Sequence, residues 1–282
     1  MATKIIIDSA SDINIEEAEK LGVKLVSMEI RFGDEEYLDG VTLNATQFYE
    51  KLVESDELPK TSQVNPFSFE EAYEEVVEAG DEAVVITISS KLSGTYTSAQ
   101  TAAEKYVGKV FVVDSMNACI GERLLCQYAL RLAANGMGAE QMAAELERVK
   151  GKINVMAVLG TLEYLKKGGR ISSAVAFAGE LLSLKPVVAV VDGEVKLVGK
   201  AMGSKKGNNL LTRLVQEKGG IDFDMPYGVV YSGLSDAFMK KYVADSAALW
   251  ENHTDEVPSY LIGSTIGTHI GPGAVGVAFF QK

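Results

Sequence analysis

The chain has 282 residues, 47% hydrophobic and 23% charged, so it is long enough to bury a hydrophobic core without a metal or a disulfide framework. Its 27 Lys and Arg against 39 Asp and Glu give a net charge of −12, which argues against a nucleic-acid-binding protein and against simple electrostatic docking to anionic membranes. Only two cysteines occur, and neither a signal peptide nor an apolar run of about 18 residues is evident, so we expect a cytoplasmic protein.

The first half of the sequence alternates β-branched runs with helical stretches. Predicted strands cover residues 4–9, 23–32, 83–89 and 109–114. Predicted helices cover residues 14–21, 65–79, 95 to about 106, and 121–134. Asn14 and Glu17 form a capping-box pattern, and Pro66 suits a first helical turn. This alternation predicts a parallel sheet covered by helices on both faces.

The second half has a different pattern. Predicted strands cover residues 154–159, 227–231, 259–262 and 274–280, and predicted helices lie near residues 162–167, 208–218 and 235–250. Asp192-Gly193 separates two β-branched runs within residues 186–197, which is a strong hairpin signal. We therefore expect an α/β fold with two domains, a parallel-sheet domain at residues 1–150 and a smaller α+β domain at residues 151–282 with a mostly antiparallel sheet.

Residues 89–95, with the sequence SSKLSGT, form the first candidate site. They follow a buried strand and lead into a helix, where the unpaired N–H groups of the first turn favour an anion. Gly94 allows close approach of the backbone, and Ser93 and Thr95 add hydroxyl donors. The same cluster also fits a helix cap without a ligand.

Two shorter motifs offer further anion contacts. Thr61 and Ser62 stand just before a predicted helix start, where capping or turn formation is the alternative. Arg170 follows two glycines in the sequence KKGGRI, and its guanidinium suits a carboxylate or a phosphate. The alternative for the second motif is the solvent-exposed, basic end of a helix that is terminated by glycine and binds no ligand.

Residues 263–273, with the sequence GSTIGTHIGPG, form the most informative candidate. We expect a glycine-rich connection between two strands that approaches a ligand closely, with Thr265, Thr268 and His269 as donors. The alternative is a glycine-rich hairpin with an exposed histidine. His253 lies in a polar surface stretch and receives no role.

Familiar catalytic patterns do not occur. The sequence has no G-x-S-x-G elbow, no P-loop and no G-x-G-x-x-G motif after a predicted strand, and its two His and two Cys are scattered. Anion-binding donors without a catalytic, metal or cofactor constellation indicate a binding protein. The alternatives are a phosphosugar-binding or isomerase-type enzyme that uses residues 89–95 as a phosphate cradle, and a serine hydrolase built on Ser93 and His269.

Seven motifs occur in the order and spacing of the DegV family, which the chain resembles from Ile5 to Phe279: DSASD, TSQ, ISSKLSGTYTSA, VVDS, LEYLKKGGRIS, LLSLKPVVAVVDGEV and IGTHIGPGAVGV. The resemblance implies two domains with a long-chain fatty acid in a tunnel between them. It also implies a role as the binding subunit of a bacterial fatty acid kinase. Such a subunit presents the acyl carboxylate to a separate ATP-dependent kinase subunit, and acyl phosphate is released for phospholipid synthesis.

The resemblance also assigns residues. It implies that Thr61 and Ser93 contact the carboxylate and that Ser62 and the Gly94 N–H lie beside them. It also implies that Arg170 and His269 either support these contacts from behind or face the phosphotransfer. Transient membrane contact is compatible with this role. Possible tunnel-lining residues are Phe177, Ala178, Leu181 and Leu182. Met202 stands where the family often has an arginine in a region linked to kinase docking, so partner recognition departs from the family pattern there.

Overall fold

The computed structural model describes residues 2–172 and 184–282. Over this part of the chain the strands are β1 (Thr3–Asp8), β2 (Lys24–Val26), β3 (Glu29–Phe32), β4 (Glu35–Leu38), β5 (Lys60–Ser62), β6 (Glu82–Thr87), β7 (Val110–Asp114), β8 (Ile153–Val158), β9 (Leu184–Val191), β10 (Glu194–Met202), β11 (Tyr227–Tyr231), β12 (Ser259–Leu261) and β13 (Val275–Phe280). The helices are α1 (Ile15–Leu21), α2 (Ala45–Glu54), α3 (Pro66–Glu78), α4 (Thr95–Ala103), α5 (Ile120–Ala134), α6 (Ala139–Val149), α7 (Glu163–Lys167), α8 (Gly203–Glu217), α9 (Ala237–Asp245) and α10 (Ser264–Ile270).

A four-stranded parallel sheet organises the first half of the chain, in the order β2-β1-β6-β7. Side chains alternate between its faces, so Ile5 and Ile7 pack towards α5 and α6 whereas Ile6 packs towards α3 and α4. Both faces are therefore buried, which explains the β-branched runs. The predicted parallel sheet with helices on both faces is confirmed.

A six-stranded sheet organises the second half, in the order β10-β9-β8-β13-β11-β12. Neighbouring strands are antiparallel except β11 and β12, which are parallel. At the β9–β10 hairpin, Asp192 and Gly193 have φ angles of 52° and 80°, as a type I′ turn requires at both central positions. The predicted hairpin and the mostly antiparallel sheet are confirmed.

The prediction of one extended run over residues 23–32 is wrong. The run divides into β2, in the parallel sheet, and β3, in a small antiparallel sheet of order β4-β3-β5. At the division the Met28 N–H donates to Ser9 Oγ at 3.0 Å instead of to a neighbouring strand. The chain thus leaves one sheet for another without a glycine or proline to mark the change.

The glycine-rich stretch at residues 263–273 is not an open connection, because it contains α10. A Cβ atom at Gly267 would lie 2.6 Å from Cε1 of Phe48, so α2 can approach α10 only because no side chain intervenes. A Cβ atom at Gly271, where φ is 68°, would lie 2.3 Å from the Tyr164 ring. The glycines therefore serve close packing of α10 against α2 and α7.

The two larger sheets share a hydrophobic core. One cluster of buried side chains joins Ile7 of the parallel sheet, Leu124 of α5, and Val230 and Phe280 of the six-stranded sheet. Helix α5 contacts strands of both sheets and fills the space between them. The division at residue 150 into two domains stays a prediction. Within the described residues, no helix is both long and apolar enough to cross a membrane.

Candidate functional site

A narrow cavity lies between the loops at the carboxyl ends of the parallel strands and one face of the six-stranded sheet. The loops contribute Met28, Ile88 and Cys119, and the sheet contributes Val155 and Val190. The enclosed space is only about 110 Å³, within about 940 Å³ of space between atoms that includes the open mouth. A cavity this narrow with a mostly apolar lining favours a slender apolar ligand.

The floor of the cavity is one row of side chains across four strands. Val188 pairs with Ala157, Ala157 pairs with Gly276, and Gly276 pairs with Val230. All four line the cavity, which therefore extends over three strand spacings, roughly 14 Å. A Cβ atom at Gly276 would lie 3.0 Å from Val230 Cγ2 and 3.3 Å from Ala157 Cβ. Small residues at the centre of the row thus leave an apolar groove.

One end of the cavity is polar. Thr61 on β5 and His269 in the last turn of α10 come together there, with 3.0 Å between Thr61 Oγ1 and His269 Nε2. Ser62 also lines this end. A Cβ atom at Gly168 would lie 2.3 Å from His269 Nδ1, so the glycine after α7 allows the chain to pass against the imidazole ring.

His269 is neutral near pH 7, because burial, and secondly the positive charge of Arg170, lower its pKa from 6.5 to about 4. Its buried Nδ1 has no hydrogen-bond partner among the described residues. A buried N–H without an acceptor is less favourable than a buried lone pair without a donor. The proton therefore belongs on Nε2, which donates to Thr61 Oγ1 and leaves the Thr61 hydroxyl proton for a ligand.

Arg170 lies at the mouth of the cavity beside the loop that carries Ser93. Its Nε donates to the Leu92 carbonyl at 3.2 Å, and its Nη1 donates to the Gly168 carbonyl at 2.7 Å. These two bonds hold the half-buried guanidinium next to Thr61 and His269. The polar end therefore carries a fixed positive charge suited to an anion.

The three residues predicted from the SSKLSGT motif occupy different positions. Ser93 lines the cavity, whereas Gly94 and Thr95 do not, and Thr95 is fully buried. Ser93 Oγ and Thr95 Oγ1 are 2.9 Å apart. A Cβ atom at Gly94 would lie 2.0 Å from Oε1 of Gln63, so Gly94 permits that side chain to pack flat against the turn. Gln63 lines the cavity as well and donates from Nε2 to Ser98 at 3.0 Å.

Thr265 lies on the cavity wall because two carboxylates from the first half of the chain fix the start of α10. Asp39 accepts the N–H groups of Ser264 and Thr265 at 3.0 and 3.1 Å. Asp12 accepts the Gly263 N–H at 2.8 Å. Sequence reasoning missed both carboxylates as anchors, because 225 or more residues separate each from its partner.

Four predicted tunnel-lining residues, Phe177, Ala178, Leu181 and Leu182, lie outside the described residues. Ala157, Gly276 and Cys119 also line the cavity, although the sequence did not predict them there. No local signal marks them, because their place on the wall follows from strand pairing and from the position of α5.

The loop after β6 is poorly suited to hold a phosphate. Ser89 Oγ donates to the Gly193 carbonyl at 2.8 Å and accepts the Lys91 N–H at 3.2 Å. The Ser90 N–H points to the Asp114 carboxylate at 3.3 Å. Donors at this turn are therefore used within the protein, and a neighbouring carboxylate repels an added phosphate.

These features define a class of α/β protein with a parallel sheet, an antiparallel sheet, and a narrow apolar cavity with one polar end between them. The family model described as "Uncharacterised protein, DegV family COG1307" matches residues 2–282. The chain is 35% identical over 282 residues to a DegV domain-containing protein of Deinococcus radiodurans, covering 99% of this chain and 98% of the relative. This protein belongs to the DegV family.

Solved structures support the same assignment. A DegV family protein from Thermus thermophilus, described as fatty acid binding, matches with a TM-score of 0.88 and 31% identity over 100% of both chains. DegV from Bacillus subtilis, described as a fatty acid binding protein, matches with a TM-score of 0.85 and 30% identity over 100% of both chains. The predicted family and fold class are confirmed.

Proposed function

We propose that this protein binds a long-chain fatty acid in the cavity between its two predicted domains, with the carboxylate at Thr61 and Ser93. The observation that carries the proposal is a narrow apolar cavity that ends at two hydroxyl groups, an imidazole and a guanidinium. Fatty acid binding by the Thermus thermophilus and Bacillus subtilis relatives supports it.

The tail supplies most of the affinity. Burying about fourteen methylene groups at ~0.8 kcal/mol each gives roughly 11 kcal/mol of favourable free energy before the entropic costs of binding. The row Val188, Ala157, Gly276 and Val230 offers an apolar floor for this tail. A phosphosugar gains little from such a surface, so the cavity favours the fatty acid over the alternative of a phosphate-binding enzyme.

The head group determines how the fatty acid is placed. Burial disfavours an ionised carboxylate, whereas hydroxyl donors and a nearby cation favour it. Thr61 and Ser93 supply the donors and Arg170 supplies the cation. We expect the ionised form to prevail, with its oxygens held near the mouth.

We further propose that the protein presents this carboxylate to a separate ATP-dependent kinase subunit, which forms acyl phosphate for phospholipid synthesis. Arg170 at the mouth is suited to the charge of an incoming phosphoryl group, and the kinase with its Mg-ATP supplies the chemistry. Met202, which is 48% exposed, stands in the region expected to meet this partner. The proposal includes a cytoplasmic location and transient membrane contact during fatty acid loading.

Mass spectrometry of the bound lipid tests the proposal. The purified protein is denatured, extracted with organic solvent, and compared with protein incubated with palmitate or oleate. We expect close to one fatty acid per chain. Neither extracted fatty acid nor uptake of the added lipids would reject the proposed function.

A pair of variants tests the position of the tail. Ala157→Phe places a ring in the centre of the cavity floor and should lower the bound fatty acid by at least about tenfold, because a filled groove excludes the tail. Val198→Phe changes a partly exposed position on β10 and should retain wild-type binding. Equal lipid content in the two variants would place the tail elsewhere.

A further inference from the structure

Thr95 lies directly behind Ser93 and is fully buried. It is the first residue of α4. Its Oγ1 accepts the Val64 N–H at 3.3 Å and lies 2.9 Å from Ser93 Oγ. Thr95 therefore connects the segment that follows Thr61 to the turn that carries Ser93.

The positions of the hydroxyl protons follow from the available acceptors. Within the part of the chain that the structure describes, Ser93 Oγ is the acceptor within reach of the Thr95 hydroxyl. If Ser93 donated instead, the buried Thr95 proton would have no acceptor, which costs the desolvation of that group. Thr95 therefore donates to Ser93.

Ser93 is left with one free hydrogen-bonding role. Its oxygen accepts the Thr95 hydroxyl and also the Thr95 N–H at 3.3 Å, so both lone pairs are engaged. The remaining proton of Ser93 must point away from Thr95 Oγ1, which leaves it for a ligand because Ser93 lines the cavity.

We propose that Thr95 is a positioning residue that makes the Ser93 hydroxyl an obligatory donor to the ligand. This inference rests on the proposed function. Thr95 donates a hydrogen bond to Ser93, just as His269 donates one to Thr61. Each bond leaves the accepting hydroxyl with a proton for the ligand head group, so Ser93 and Thr61 both act as donors. The site thereby selects an ionised carboxylate over a neutral head group, because hydrogen bonds to a charged acceptor are the stronger ones.

The test compares two ligands of equal chain length, palmitate and 1-hexadecanol, in direct binding measurements. In Thr95→Val the Ser93 hydroxyl is free to rotate, so palmitate should bind about tenfold more weakly while hexadecanol changes less than about twofold. Thr95→Ser keeps the hydroxyl and should restore palmitate affinity. A general structural defect would weaken both ligands together and would not be rescued in this selective way.

Thr87→Val is the matched control. Thr87 is also fully buried, and its hydroxyl has no hydrogen-bond partner in the described part of the chain. This variant should bind both ligands as the wild type does. Equal loss of palmitate affinity in Thr87→Val and Thr95→Val would overturn the inference.

Neutron diffraction on the wild-type palmitate complex covers the case in which Thr95→Val does not fold. We expect the Thr95 hydroxyl deuterium between Thr95 and Ser93, and the Ser93 deuterium directed at the ligand carboxylate. The reverse orientation would reject the role of Thr95 while leaving fatty acid binding intact. A wild-type protein that binds no palmitate would instead reject the proposed function.

Discussion

His269 acquires its properties from its surroundings rather than from its residue type. An exposed histidine changes charge near pH 6.5, whereas burial and Arg170 keep this one neutral down to about pH 4. A neutral ring can hold a fixed proton on Nε2 and so orient Thr61 at all physiological pH values. The charge of His269 is thereby unaffected by ordinary changes in pH.

This burial predicts a specific pH dependence of stability. Between pH 6.5 and about pH 4 the unfolded chain binds a proton at residue 269 that the folded chain does not, so the free energy of unfolding falls as the pH falls. His269→Gln removes this titration and keeps an amide donor for Thr61. Relative to pH 8, the variant should lose less stability at pH 4 than the wild type, by on the order of 3 kcal/mol in urea unfolding.

If the free energy of unfolding changed equally with pH in the wild type and in His269→Gln, the buried, neutral state of His269 would be contradicted. Other groups that titrate in this range contribute to both proteins, so the difference between them isolates residue 269.

The sequence predicted which residues could bind an anion at the polar end of the cavity, but it did not predict which of them lie next to each other. Ser93 and Arg170 stood out by local pattern, yet Thr61 and His269 are 208 residues apart and share a hydrogen bond. The sequence also could not separate Ser93, on the wall, from Thr95, two residues further on and behind it. That distinction depends on the direction of the first turn of α4.

At the scale of elements, α10 shows how glycine content can mislead. Glycines at residues 263–273 indicated a permissive backbone, but in the fold they remove side chains where helices meet. Glycine lowers helix propensity, so the helical state of this segment depends on tertiary packing. Without α10 in place, Thr265 and His269 would not face the cavity.

The packing role predicts the effect of one added methyl group. Gly267→Ala places a Cβ atom 2.6 Å from Phe48 Cε1 and 2.9 Å from the Tyr49 hydroxyl, and should destabilise the protein by about 1–3 kcal/mol. Gly151→Ala is the control, because a Cβ atom there meets nothing within 4 Å. Chemical denaturation of both variants measures the difference, and equal stabilities would contradict tight packing at α10.

Helix starts were the most readable elements. Asn14 caps α1 by accepting the Glu17 N–H, but the predicted capping box is only half formed, because the Glu17 side chain pairs with Arg123 instead of the Asn14 N–H. Asn65 caps α3 by accepting the Ser68 N–H, directly before Pro66 in the predicted first turn. The same signal precedes α2, where Asn44 and Gln47 form a reciprocal capping box that the sequence analysis overlooked. The sequence also did not predict α6, because Gly138 before it provides no side-chain cap. It did not predict the small sheet, because its three strands are only three or four residues long.

At the scale of the whole molecule, a shared core joins the two halves. Helix α5 packs on both larger sheets, so neither sheet completes its hydrophobic core without the other half of the chain. Side chains from both halves also form the cavity wall. Separating the two halves would expose the hydrophobic core that they share, which is not the case for two domains that are in contact only at their surfaces.

The shared core predicts a single cooperative unfolding transition. Trp250, the single tryptophan of the chain, reports on the core beside the six-stranded sheet, whereas far-UV circular dichroism reports on both halves. The two signals should give the same midpoint in urea. Two separated midpoints would show that residues 1–150 and 151–282 unfold independently.

The sequence by itself determined the periodicity of the strands and helices, the helix caps, the type I′ hairpin at Asp192-Gly193, and the chemical types available for the site, because these depend on neighbours within a few residues. Tertiary structure alone decided the register that aligns Val188, Ala157, Gly276 and Val230. It also decided the packing of α10 and the meeting of Thr61 with His269. These features depend on contacts between segments that are far apart in the sequence. A local sequence pattern does not determine which distant segments pack against each other or how closely they approach.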